Sequence, residues 1–255
     1  MAMQNKWLVY SLGLVMLLGA FVISGCESNT YNEGVFTAIS EGDERGYAEV
    51  SLTIENDEIT DVEITEYDGL DVEKLDEVYG QRFEPMEEAH EYLAEEIVAN
   101  NTWEVDTFSG ATSTSEKVSQ AARFAMEKAF VEEAEQDYFD GTFMARSEGS
   151  ERGWHIAWVT IENDEIVDVE LAGTTPVEED SEPVFDDAGR QVFELKSEEY
   201  AHQPYHEGQE VIAERIVGYQ EPEVDTLSEA TSSSEQWIEA VEKALDKAQT
   251  RAEVE

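Results

Sequence analysis

Thr53–Ile64 reads TIENDEITDVEI, and Thr160–Leu171 reads TIENDEIVDVEL. In each string apolar residues alternate with polar ones on both sides of an Asn-Asp pair. Two half-buried strands joined by a two-residue turn need that pattern, because side chains alternate across a strand. Asn and Asp tolerate the left-handed backbone that tight hairpin turns require. One string predicts a hairpin. Its return 107 residues later predicts that the chain is a duplication.

Upstream, YNEGVFTAISEGDERGY from Tyr31 matches YFDGTFMARSEGSERGW from Tyr138 at the same offset. Phe36 and Ala38, like Phe143 and Ala145, begin a short strand after a glycine, Gly34 or Gly141. AEVSLTIEND then places Val50, Leu52 and Ile54 on one strand face, and HIAWVTIEND repeats it. Downstream, helices are predicted over Met86–Ala99 and Glu207–Val217. A last helix carries Val118, Ala121, Ala122, Ala125, Met126, Ala129 and Phe130 on one face. Trp237, Ala240, Val241, Ala244, Leu245 and Ala248 repeat that face. Strands followed by helices, twice, indicate an α+β fold in two tandem domains, residues 31–134 and 137–250. Each copy is expected to fold by itself.

Directly before the last helix stands DTFSGATSTSE, Asp106–Glu116, and in the second copy DTLSEATSSSE, Asp225–Glu235. These lie 119 residues apart, so the second copy holds about twelve extra residues in its middle. Ser113-x-x-Glu116 and Ser232-x-x-Glu235 fit a capping box, which accounts for the end of each string. The Asp-Thr-x-Ser-x-Ala-Thr ahead of it is not needed for a cap. A helix N-terminus presents free N–H groups and a positive dipole end, which together seat a phosphate. Gly110 and Ala111 keep the backbone open there, and Thr112 offers a hydroxyl beside the seat.

Charge narrows the function classes. The chain of 255 residues has 61 Asp and Glu against 15 Lys and Arg, a net charge of −46. Such a surface repels nucleic acid and anionic lipid, so no nucleic-acid partner is expected. It suits a salty or alkaline exterior, where ions screen self-repulsion. At the N-terminus, Lys6 precedes an apolar run, Trp7–Ile23, that ends in ISGC, Ile23–Cys26. This resembles a bacterial lipoprotein signal: residues 1–25 would be removed, Cys26 lipidated, and residues 26–30 left as a polar spacer. Cys26 is the sole cysteine, with no disulfide partner in the chain.

The string from Asp106 is similar to the flavinylation motif of the FMN-binding domain family, Asp-x-x-Ser/Thr-Gly-Ala-Thr. That family includes flavin subunits of sodium-translocating NADH:quinone oxidoreductase and of the related Rnf complex. It also includes surface lipoproteins of Gram-positive extracellular electron transfer. The resemblance implies that a flavin transferase attaches FMN by a phosphoester to Thr112, with Asp106, Ser109, Gly110 and Ala111 as recognition context. In the second copy it implies Thr231, with Asp225, Ser228 and Ala230. Glu229 replaces the family's Gly there and sets a negative charge beside the phosphate. The implied protein is a lipid-anchored electron carrier on the extracellular side of the cell membrane. Its donor would be a membrane quinol or NADH dehydrogenase, and its acceptor an extracellular oxidant such as ferric iron. The rivals are a non-redox acidic module that binds cations or docks a partner, and a scaffold with a vestigial second site.

Other features read as structural. Pro204 is expected to break any helix aligning His202 with His206, which leaves that pair in a surface loop. The acidic run Val177–Glu182 lacks the glycine and spacing of a calcium loop. Trp103, Trp154, Trp158 and Trp237 could stack on an isoalloxazine ring, but core packing is the default for each.

Overall fold

The computed structural model describes residues 29–79, 85–132 and 134–251. Cys26 and the leader therefore lie outside the described residues. Among the described residues, no helix is long and apolar enough to cross a membrane.

The first copy opens with β1 (Gly34–Ile39), β2 (Tyr47–Glu55) and β3 (Glu58–Tyr67), an antiparallel sheet in that order. Glu55 pairs with Glu58 across the turn, where Asn56 and Asp57 take φ of 54° and 64°. These are the two left-handed residues of a tight primed hairpin turn. Asp57 also secures the start of the domain, because its Oδ1 accepts the backbone N–H groups of Thr30 and Tyr31. After a single turn, α1 (Asp76–Tyr79), come α2 (Pro85–Asn100) and α3 (Thr112–Ala129). α3 packs across β1 and β2, and α2 across β3. Val50, Leu52 and Ile54 are buried beneath them, as the alternation predicts.

The second copy repeats the plan with β4 (Gly141–Arg146), β5 (His155–Glu162) and β6 (Glu165–Pro176). Asn163 and Asp164 form the equivalent turn, and Asp164 Oδ1 accepts from Asp137 and Tyr138. The inserted residues make a small hairpin, β7 (Glu178–Glu179) with β8 (Glu182–Pro183), and an added strand β9 (Phe193–Leu195) beside β6. The acidic run is thus an exposed hairpin turning at Asp180 and Ser181. α4 (Gln203–Tyr219) and α5 (Thr231–Ala248) cover the sheet. The fold is α+β, two tandem strand-then-helix units.

One expectation is corrected here. Pro204 does not break a helix; it is the second residue of α4, where a missing N–H costs nothing and the fixed φ suits the first turn. His202 is the residue before that helix and His206 lies inside it. Their Nε2 atoms face different carbonyls, those of Glu229 and Tyr200.

The two units share one hydrophobic core. Phe124 of α3 stacks on Phe139 at 4.2 Å and meets Phe143 of β4. The Gly42 N–H donates to the Thr142 carbonyl at 2.8 Å, and the Trp154 Nε1–H donates to the Leu70 carbonyl at 2.9 Å. Lys247 of α5 reaches Tyr47 and Asp71 of the first unit.

Candidate functional site

Both hydroxyl-rich strings run into a helix, their last five residues lying inside it, and the cap differs from the predicted box. The residue before α3 is Ala111 and that before α5 is Ala230, and neither start carries a side-chain cap bond. The buried serine one turn in does the local work. Ser115 Oγ accepts the Phe108 N–H at 3.0 Å and donates to the Ala111 carbonyl at 2.9 Å. Ser234 does the same with Leu227 and Ala230. Each serine thus folds the preceding loop back over its helix and leaves the threonine, Thr112 or Thr231, exposed as the first helical residue.

In the first unit Thr112 stands at the mouth of a cleft of about 460 Å³. Gly110, Ala111, Ser113 and Thr114 line it with Thr112, while Asp106 and Ser109 are exposed outside its lining. Gly110 has φ +96°, a backbone state that side chains other than glycine rarely hold. The opposite walls come from elements that the motif did not reveal. Arg45 follows β1, Glu66 is next to last in β3, Lys74 precedes α1, and Lys117 sits in the second turn of α3. Three cations therefore face three carboxylates, Glu44, Glu66 and Asp68, in a chain where acids outnumber bases fourfold. The cleft is close to neutral where the remaining surface is strongly negative, so an anion is tolerated here.

Hydrogen bonds hold these walls in place. Lys117 Nζ donates to Asp43 Oδ1 at 2.8 Å and to the Gly46 carbonyl. Lys74 Nζ donates to Glu66 Oε2 at 2.9 Å, and the Tyr79 hydroxyl donates to Asp68 at 2.9 Å. Burial opposes ionisation of Glu66, but the neighbouring His90 and the Lys74 charge outweigh it and hold the carboxyl down at about 2.

The second unit differs at the matching place. Counting from its helix start, Tyr205 follows Pro204 as Met86 follows Pro85, and Trp237 stands where the first unit has Val118. Tyr205 and Trp237 are fully buried, with ring centroids 5.1 Å apart, and the His155 ring packs edge-on against Trp237 at 5.2 Å. Gly208 of α4 lies against both the Trp237 ring and Ala230, the residue before Thr231. Thr231 Oγ1 donates to the Leu227 carbonyl at 3.0 Å. Glu229 stays outside the left-handed region that Gly110 occupies. Asp225 and Ser228 are exposed, and Ala230 is buried against the helix start. Trp154 and Trp237 are core residues, each with its indole N–H on a carbonyl; Trp103 and Trp158 are half-buried. Among the described residues, no group of three or more His, Cys, Asp or Glu is placed to hold a metal ion.

Two buried groups make stability depend on pH. Burial, with a small contribution from Lys196 and against the Gln236 hydrogen bond, lowers His155 from 6.5 to about 4. The unfolded chain thus binds the proton first, and stability contributed by neutral His155 is lost as pH falls from 6.5 to 4. Glu66, lowered from 4.5 to about 2, contributes stability that is present above 4.5 and lost as pH falls toward 2. Each shift corresponds to roughly 3 kcal/mol. Protonation of surface carboxylates relieves self-repulsion in the opposite sense, so differences between variants are the useful measure. In about 1 M salt, which shortens screening to about 3 Å, His155→Gln should gain on the parent as pH drops from 7 to 4. Urea midpoints check this, and a pH-independent gap between the two proteins would exclude His155 as the source.

The family model for the FMN-binding domain matches residues 45–127 and 156–246, one region in each unit. No curated protein matches the chain. Among solved structures, the CPE2226 protein of Clostridium perfringens is 21% identical, covering 39% of this chain and 88% of that one, with a TM-score of 0.35.

Proposed function

Since this chain belongs to the FMN-binding domain family, we propose that its flavin is covalently attached at Thr112 and serves electron transfer outside the cell. The observation that carries this reading is the position of the Thr112 hydroxyl, exposed on the first residue of α3 at the mouth of the cleft. The first N–H groups of α3 and its dipole favour a phosphate at that point. Lys74, Lys117 and Arg45 offset the negative field that would otherwise oppose an anion. Asp106 and Ser109, exposed on the approach to Thr112, are where a flavin transferase would grip the loop. When bound, FMN supplies the redox chemistry by accepting electrons and giving them up again. The protein holds the group, screens its phosphate and sets its surroundings.

Cys26 is the lipid attachment point in this reading, and residues 26–30 are the tether that keeps an acidic body off an anionic membrane. A membrane quinol or NADH dehydrogenase supplies the electrons, and an extracellular acceptor such as ferric iron takes them. The acidic surface draws cationic acceptors and slows anionic ones. Thr231 is the second attachment point, at lower occupancy than Thr112. The aromatic packing of Tyr205 and Trp237 and the charge of Glu229 favour the vestigial reading for that site alone.

Co-expression with an active flavin transferase and magnesium should raise the intact mass of the mature protein by FMN less water. The yellow colour should survive denaturation and gel filtration. Dithionite should bleach the visible band and a ferric salt restore it. An unchanged mass in the presence of a transferase that modifies a control protein would sink the proposal and favour the non-redox binding module.

A further inference from the structure

Glu66 is an unusual residue to find inside a binding cleft. It stands next to last in β3 with its side chain 4% exposed, and it lines the cavity beside Thr112. Oε2 is taken by Lys74 at 2.9 Å, but Oε1 is buried without a hydrogen bond. His90 Nε2, also buried without a hydrogen bond, lies 3.6 Å from Oε1, an ion-pair distance too long for a hydrogen bond, and the Thr114 side chain stands beside the carboxylate as well. A buried acceptor left unpaired is costly, and more so when charged. The second unit has no acid at this place, and the buried atoms without a hydrogen bond there are His155 Nε2 and the Tyr205 hydroxyl. Glu66 pairs with Ala48 across the sheet, and at the same register Gly173 pairs with His155. A Cβ at Gly173 would come within 2.8 Å of the Tyr205 hydroxyl.

We propose that Glu66 reads the flavin ring, its unpaired carboxylate oxygen accepting the ring N–H of a flavin held in the first cleft. The inference rests on the flavin reading above. A cleft occupant satisfies Oε1 only by bringing a donor. The phosphate end brings none when ionised, and belongs at Thr112; the ribityl hydroxyls are donors too, and a probe methylated at N3 keeps them, so it separates them from the ring. The oxidised isoalloxazine ring has a single N–H, at N3. Glu66 is then a specificity residue that the second unit lacks.

The test uses the unloaded protein and two neutral probes, riboflavin and N3-methylriboflavin, titrated by fluorescence quenching. The parent should bind riboflavin about tenfold more tightly than the methylated probe, the low end for a hydrogen bond to a charged group. Glu66→Ala should weaken riboflavin by about the same factor and bind both probes equally. Glu66→Gln, which keeps an acceptor oxygen, should recover part of the preference. The comparison of probes on the parent needs no variant to fold. Equal affinity of the parent for the two probes, a preference retained in Glu66→Ala, or no riboflavin binding at all would overturn the assignment. Covalent loading is read separately by mass. Loading without an N3 preference sinks Glu66 alone. An N3 preference without loading sinks covalent attachment and leaves Glu66 in place.

Discussion

Thr112→Val should abolish the flavin addition at the first unit, with complete loss of the mass increment assigned to that site. The attachment needs an oxygen to attack the phosphorus of an activated flavin phosphate and displace its leaving group, and valine keeps the shape of threonine without one. The fold should not notice. Thr112 is exposed, and the cap residue Ala111 uses no side-chain bond that a neighbour could lose. The variant should therefore melt within a degree or two of the parent, as surface substitutions away from such features usually do. Thr112→Ser keeps the oxygen and should retain part of the loading. Thr231→Val should remove any second addition. Glu229→Gly should raise occupancy of the second site, because it removes a charge and frees the backbone for the left-handed turn that Gly110 makes. Persistence of both additions in Thr112→Val/Thr231→Val would place the flavin elsewhere.

Local chemistry made the motif and the fold readable. Strand alternation around Asn56-Asp57 and Asn163-Asp164 survives in the structure because turn geometry and burial demand the same residues. The helical faces from Val118 and Trp237 are buried as their spacing requires, except for Phe130, which follows the end of α3, is exposed and stacks on Tyr31 instead. The expected capping boxes failed because a competing bond won. Ser115 and Ser234, one turn into the helix, face the loop and reach both its N–H and its carbonyl, which Ser113 and Ser232 cannot do. Pro204 misled because proline is hostile within a helix and favourable at its start, and only the position of the start decides which applies. The cleft walls were invisible for a different reason. Arg45, Glu66 and Lys74 are 38 to 67 residues before Thr112 and share no periodicity with it. In so acidic a chain, nothing singles out one glutamate until the sheet has placed it.

The two copies read as separately foldable, but their shared core makes coupled unfolding the expected result. Asp71 is the centre of that coupling. The Tyr47 hydroxyl donates to its Oδ1, the Arg146 backbone N–H donates to Oδ2 at 3.0 Å, and Lys247 Nζ lies 3.7 Å away. Lys247 also donates to the Tyr47 oxygen at 2.6 Å, closing a chain of bonds between residues 200 positions apart. Burial lowers the Lys247 pKa even with Asp71 and Glu49 beside it, so its ammonium depends on these carboxylates to stay charged. Asp71→Ala strands the Tyr47 hydroxyl, the Arg146 N–H and the Lys247 charge together. Breaking a buried pair from one side costs about 3–5 kcal/mol. For a chain of this size that is a fall in Tm on the order of 10 °C. The parent should unfold in one transition, and Asp71→Ala in two as the units uncouple. Adding Lys247→Met should recover part of the loss, because it removes the uncompensated charge and keeps an unbranched side chain in its place. A shift below about 2 °C in Asp71→Ala, smaller than about 1 kcal/mol would give, would show the network to be ornamental, and no recovery in the double variant would move the cost from Lys247 to Tyr47 or Arg146.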